Sequence, residues 1–160
     1  MATLLNGVAE QGLARRVILP NTDRGHAGVV AAVERHRRSS DAGQVDVVRS
    51  ADRDTFLSWL IESDVIVGNS SAGIIEAPAA GTPTVDVGSR QRGRLAGGRS
   101  VVHAEECPDD IRRALRSAVR KRPIIWGETV YGDGKTGPRI AALLARMPMT
   151  EAVRRKLNSY

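Results

Sequence analysis

Short apolar runs alternate with stretches of helical periodicity along the whole of this 160-residue chain. That alternation constrains the fold more than any other feature. Val17-Ile18-Leu19 is closed by Pro20, and Val45, Val47 and Val48 mark a second run. Asp64-Val65-Ile66-Val67 stops at Gly68, Thr84-Val85-Asp86-Val87 forms a fourth run, and Ser100-Val101-Val102 a fifth. Helical spacing covers residues 3–11, 26–38, 55–62, 71–80, 109–121, 139–146 and 151–157, with inward faces such as Phe56-Trp59-Leu60 and Ile111-Leu115-Val119. Strands this short and this apolar, separated by helices, imply right-handed βαβ units around a doubly wound parallel sheet with both faces covered. The chain length suits one such domain, and neither an internal repeat nor a long linker divides it.

Composition narrows the function classes. Aromatic residues are few, so the core must be built from Val, Ile, Leu and Ala. Cys107 is the only cysteine, which excludes an internal disulfide and leaves a small apolar residue near a helix start. No signal peptide is legible and no apolar run reaches the roughly 18 residues of a membrane span, so a cytoplasmic location and no membrane partner are expected. The net charge of +6 collects around Arg35–Arg38, Arg112–Arg122 and Arg154–Lys156. These clusters fall on expected helices without interleaved stacking aromatics, so they read as solvated faces and not as a nucleic-acid surface. Metal-ligand clusters, a P-loop, a dinucleotide fingerprint and a nucleophile–base pair are all missing from the sequence. No cofactor is therefore expected.

Ligands of doubly wound sheets sit beyond the carboxyl ends of the strands. The segment Gly68-Asn69-Ser70-Ser71-Ala72-Gly73-Ile74-Ile75-Glu76 occupies such a place. Gly68 and Gly73 leave room for close approach to the backbone. Ser70 and Ser71 stand where a helix N-cap belongs, and free N–H groups there favour a phosphate. Glu76, one turn further on, can accept bonds from two vicinal ribose hydroxyls. The plainer reading is a capped helix with a surface glutamate. The next strand ends in Gly88-Ser89-Arg90-Gln91-Arg92-Gly93-Arg94, where Arg90 and Arg94 can neutralise a diphosphate or simply form a solvated basic loop.

These residues carry a resemblance. Gly68–Pro78, Gly81-Thr-Pro-Thr-Val85 and Gly88–Arg94 resemble the UDP-N-acetylglucosamine 2-epimerase family, its hydrolysing branch in particular. Leu19-Pro-Asn-Thr-Asp-Arg-Gly25, with Asn21 and Asp23, and Tyr131-Gly-Asp133-Gly134 resemble two further motifs of that family, in the same order. The resemblance implies a Rossmann-like domain, the C-terminal half of a glycosyltransferase-B-type fold, spanning residues 1–160. It implies that Ser70, Ser71, Gly73, Glu76 and Arg90 bind UDP, with Asn69, Asn21, Asp23, Arg94, Tyr131 and Asp133 as further candidates. It also implies a reaction in which UDP leaves UDP-N-acetylglucosamine by elimination and water adds with inversion at C2, releasing N-acetylmannosamine.

The departures from the family matter equally. The family's N-terminal domain, with its carboxylates, has no counterpart here, nor does the first strand of the C-terminal domain, which usually ends in an active-site histidine. No catalytic residue is assigned. His26, His36 and His103 are expected at the surface. The chain is therefore expected to bind UDP and to lack activity alone, as a fragment, a remnant, or one subunit beside a separate N-terminal-half chain or in a homo-oligomer. A non-catalytic UDP-sugar-binding module and the UDP-binding domain of another glycosyltransferase-B-type enzyme remain open.

Overall fold

The computed structural model describes residues 1–20, 25–39, 45–95, 98–120, 130–151 and 155. Two compact units emerge, Met1–Val130 and Tyr131–Tyr160. The first contains α1 (Ala2–Ala9), β1 (Arg15–Ile18), α2 (His26–Arg37), β2 (Val45–Val48), α3 (Arg53–Glu62), β3 (Ile66–Gly68), α4 (Ala72–Ala79), β4 (Thr84–Val87), β5 (Val101–Ala104) and α5 (Pro108–Val119). The second contains α6 (Thr136–Arg146). The fold is α/β and Rossmann-like, and the strand pairs among the described residues are all parallel.

Strand β4 lies between β3 and β5 and all four of its residues are buried. Its side chains alternate between two faces, as strand geometry requires. Val85 and Val87 enter a core with Val8 of α1, Ala104 of β5 and Ile111, Ala114, Leu115 and Ala118 of α5. Thr84 points the other way, and its hydroxyl donates to the Gly73 carbonyl of α4 at 2.7 Å. Helices thus cover both faces of this sheet. A second small cluster, Leu60, Ala77 and Ala80 with Phe56 and Ile66, joins α3 to α4.

Among the described residues, strands β1 and β2 pair only with each other, in register from Arg15↔Val45 to Ile18↔Val48. No ladder joins β1 to β3 among the described residues. Helix α1 packs on both α5 and α2, so it spans from the three-stranded sheet toward the helix that follows β1.

Local chemistry sets the element ends. Asp52 caps α3 by accepting from the Thr55 amide at 2.9 Å. Pro108 opens α5, followed by Asp109 and Asp110 in its first turn, where the helix dipole favours them. Helix α4 stops in a Schellman turn: Thr82 N–H donates to Ala77 O at 2.9 Å and Gly81 N–H to Pro78 O at 3.2 Å, with Gly81 at φ 72°.

Several expectations are corrected here. His36 is buried, 8 % exposed, with its Nε2 3.1 Å from Arg15 Nη1. The strand neighbour makes this helix position interior, which periodicity alone did not reveal. Val119 is 36 % exposed; Ala114 and Ala118 take the inward positions of α5 with Leu115. Trp59 is only half buried, and the Arg16 guanidinium lies over its ring, 4.1 Å from the ring centre. Cys107 is exposed at the N-cap of α5 instead of packing as an apolar residue. The expected helix over 151–157 and the residues Asn21 and Asp23 lie outside the described residues. No helix among the described residues is long and apolar enough to cross a membrane.

The arginine clusters behave as solvated faces where they are described. Arg112 pairs with Glu10 and Asp109, Arg113 with Asp110, and Arg37 with Glu34. In the second unit, Asp133 takes both terminal nitrogens of Arg139, at 2.9 and 2.8 Å, and the Lys135 amide at 3.1 Å.

Candidate functional site

Parallel neighbours need a crossover of a dozen or so residues, usually a helix. Between β3 and β4 that crossover is α4. Between β4 and β5 it is the residue 88–100 segment, which closes with a 3₁₀ turn at Gly98–Ser100. Two adjacent strands therefore discharge two different polar segments at the same end of the sheet: Asn69-Ser70-Ser71 after β3, and the arginine loop after β4.

The two segments are tied together. Gln91 Nε2 donates to the Asn69 carbonyl at 2.8 Å, and Arg90 Nη1 donates to the same oxygen at 3.2 Å. Arg90 is thereby held beside Ser70 and Ser71, twenty residues away in sequence. Of the expected site residues, Asn69, Ser70, Ser71, Gly73, Glu76 and Arg90 share this corner of the fold.

Ser71 occupies the N-cap position of α4, but its backbone is already helical (φ −60°, ψ −24°) and its side chain makes no capping bond. The capping contact comes from Ser70, whose Oγ accepts weakly from the Ala72 amide at 3.3 Å. Gly73 N–H closes onto Ser70 O, and Ile74 N–H and Ile75 N–H onto Ser71 O. These bonds use the amides of residues 72 to 75. The amides of Ser70 and Ser71 donate to nothing among the described residues. The two backbone donors left over stand at the positive end of a helix, which is the arrangement that suits an anion.

Gly73 has a role the sequence did not show. A Cβ added there would lie 2.7 Å from Thr84 Cγ2. Its missing side chain lets α4 sit against β4, so it sets the height of the cradle above the sheet. Glu76 is half buried, and its Oε2 is shielded without a hydrogen-bond partner. A buried acceptor left unpaired is costly.

Beside the cradle lies a cavity of about 310 Å³, lined among others by Ile74, Asp86, Gln91, Arg94 and His103. Asp86 and His103 face each other across β4 and β5, with Oδ2 and Nδ1 3.3 Å apart. Asp86 Oδ1 and Gln91 Oε1 are buried and unpartnered. The sequence signal for Asp86 was present as a carboxylate within an apolar run; Gln91 gave none. Arg94 lines this cavity, whereas Arg90 is the arginine that bonds Asn69. Tyr131 and Asp133 belong to the second unit. There the Asp133 carboxylate serves the start of α6, and its bonds from Arg139 and the Lys135 amide hold its pKa below the usual carboxylate range. No cluster of three or more His, Cys, Asp or Glu among the described residues can hold a metal ion.

Comparison with known proteins gives a consistent result. A family model described as UDP-N-acetylglucosamine 2-epimerase matches residues 1–145. A UDP-N,N'-diacetylbacillosamine 2-epimerase (hydrolyzing) from Legionella pneumophila is 36% identical over 141 residues, which cover 88% of this chain and 36% of that protein. A UDP-N-acetylglucosamine 2-epimerase from Neisseria meningitidis serogroup B is 34% identical over 134 residues, covering 83% and 34% respectively. The chain spans about a third of the length of these curated relatives.

Proposed function

This chain belongs to the UDP-N-acetylglucosamine 2-epimerase family, and from that premise we propose that it is the UDP-binding domain of a hydrolysing 2-epimerase. The observation that carries the reading is the junction at Asn69. One carbonyl fastens the arginine loop of β4 to the unused Ser70 and Ser71 amides that precede α4. Two amides, two hydroxyls and a guanidinium in this corner, on either side of the Asn69–Ser70 peptide, suit the two phosphates of a diphosphate. Glu76, with a buried oxygen awaiting a donor, suits the ribose diol.

The chemistry of the complete enzyme follows from where these groups stand. Departure of UDP from C1 of the sugar leaves charge on its β-phosphate. Positioned N–H donors and an arginine stabilise that charge as it develops. Proton removal at C2 and the delivery of water need acid–base groups, and no side chain in this corner is assigned to them. The proposal therefore assigns leaving-group binding to this domain and proton transfer to a further domain. The Legionella and Neisseria relatives differ in the sugar named, so the N-acyl sugar of this protein is left as a UDP-linked 2-acetamido sugar.

No ladder joins β1 to β3 among the described residues. Helix α1 has the position of a βαβ crossover, and a strand leading into it would lie beside β1. Such a strand would join the two sheets and end next to the Ser70–Ser71 cradle, at the switch point where ligands bind.

Two measurements test the reading. Ser71→Ala and Glu76→Ala are each expected to weaken UDP binding by about 1–3 kcal/mol, the loss of a charge-assisted hydrogen bond; unchanged affinity in both would remove the site assignment. The purified chain is expected to release no N-acetylmannosamine from UDP-N-acetylglucosamine. Sustained release would show that the acid–base groups are present after all.

A further inference from the structure

The arginine loop contains one residue whose burial is out of character. Ser89, Arg90, Arg92, Gly93 and Arg94 are exposed, whereas Gln91 between them is 6 % exposed. A long apolar side chain would fill that space without leaving a buried acceptor unpaired, as Gln91 Oε1 is. The amide must therefore serve through its other end. Nε2 donates to Asn69 O at 2.8 Å, and the orientation of the amide is fixed by its partner, because only nitrogen can donate to a carbonyl.

We propose that Gln91 is a positioning residue that sets the direction of the Ser70 amide and so pre-forms the diphosphate cradle. The proposal rests on the UDP-binding reading above for its ligand, but the hold itself is a property of the free protein. A peptide unit is planar and almost always trans, so its C=O and N–H point in opposite directions. Holding the Asn69 carbonyl toward the β4 loop turns the Ser70 N–H away from that loop and fixes its direction. Arg90 shares the same carbonyl, but at 3.2 Å and from an exposed position. The buried neutral donor is the permanent clamp. The exposed guanidinium, with five N–H groups, can turn one of them from Asn69 to an arriving phosphate without releasing the peptide. Pre-organisation of this kind lowers the ordering cost of binding. It should act on the diphosphate and hardly on the nucleoside end of the ligand.

The test compares Gln91→Met, which keeps the length and burial but removes the donor, with Arg90→Met. Backbone ¹⁵N order parameters are read at Asn69–Ala72 in the ligand-free protein, with α5 as an internal reference. The wild type and Arg90→Met should show rigid values near about 0.85 at these residues, and Gln91→Met values below about 0.6, with α5 unchanged in all three. UDP affinity should fall roughly five- to tenfold in Gln91→Met, the equivalent of one hydrogen bond, while UMP affinity changes by less than about half that factor. Gln91→Glu adds a signature that packing alone cannot produce, and it serves if the methionine variant fails to fold. A carboxylate repels the Asn69 carbonyl, but a protonated carboxyl donates to it, so order at Ser70 should recover between about pH 8 and pH 5. Unchanged order parameters in Gln91→Met, equal loss of order in Arg90→Met, or a pH-independent Gln91→Glu would each overturn the proposal. Failure of the wild type to bind UDP would overturn the functional reading instead, and the order parameters would still decide the role of Gln91.

Discussion

The two sheets of the first unit are built from strands of similar length and composition, yet only one of them has a dry centre. Every residue of β4 is buried, and its Val85 and the facing Leu115 of α5 are wholly inaccessible. No residue of β1 or β2 is fully buried, and Ile18 is 41 % exposed. The difference is one of neighbours. A strand flanked on both edges and covered on both faces excludes water, whereas a two-stranded parallel sheet with open edges cannot. What holds β1 and β2 includes polar contact at the surface: Arg16 bonds Asp46 at 2.8 Å across the strands and lies over Trp59. The candidate site stands on the packed side, at the ends of β3 and β4, with its geometry set by Gly73, Thr84 and Gln91. The contrast implies that the cradle is rigid in this chain as it stands, while the β1–β2 side is where additional structure would add most stability.

The largest effect should come from the packed side. Leu115→Ala removes a side chain from the centre of the α5 interface and should cost about 2–5 kcal/mol in urea unfolding. Ile18→Ala should cost about 1 kcal/mol or less, because much of that side chain already meets water. Equal costs would erase the contrast. Gly73→Ala comes next. Its new Cβ would collide with Thr84 Cγ2, and overpacking of this kind costs about 1–3 kcal/mol. Adding Thr84→Ser removes the colliding methyl, keeps the hydroxyl that bonds Gly73 O, and should restore most of the loss. A double variant as unstable as the single one would show that α4 does not depend on this close approach. Arg16→Ala should cost only about 0.5–1 kcal/mol, since an exposed ion pair and a surface cation–π contact are both weak. A larger loss would mean that the two-stranded sheet relies on its surface more than its burial shows.

The smallest effect lies in the second unit and is read through pH. Bonds from Arg139, then from the Lys135 amide, lower the pKa of Asp133. A carboxylate with a lowered folded pKa contributes stability above its unfolded pKa and loses it as pH falls through the folded one. The start of α6 should therefore keep this contact at neutral pH and lose it only in acid, with an Asp133 side-chain titration midpoint below about 3.9. A midpoint at or above that value would contradict the bonding described.

How much of this was legible in the sequence depended on the range of the interaction. Strand runs and helical periodicity are local, and β1 to β5 and α1 to α6 overlap the patterns that mark them, with ends shifted by about two or three residues, as β1 and α6 show. The Gly68–Glu76 segment was legible for the same reason: a strand, a small-residue turn and a helix start are contiguous. Three features were not. The burial of His36 follows from Arg15, twenty-one residues away on β1. The reason for Gly73 is a methyl group on the next strand. Gln91 carries its meaning only because the β4 loop crosses to the carbonyl of Asn69. Each depends on which strands end side by side, and a residue pattern along one segment does not encode that. Asp86 falls between these cases. A carboxylate inside an apolar run is visible in the sequence, though it was not singled out, and its pairing with His103 needed the β4–β5 register.

The central claim is that the corner formed by Ser70, Ser71 and Arg90 is a diphosphate receptor. Calorimetric titration of the folded chain with UDP and with UMP at moderate salt addresses it most directly. The account predicts that UDP binds and that UMP, which lacks the second phosphate, binds at least about tenfold more weakly, the value of one charge-assisted contact. Equal affinity for the two, or no binding of UDP by a chain shown to be folded, would contradict it.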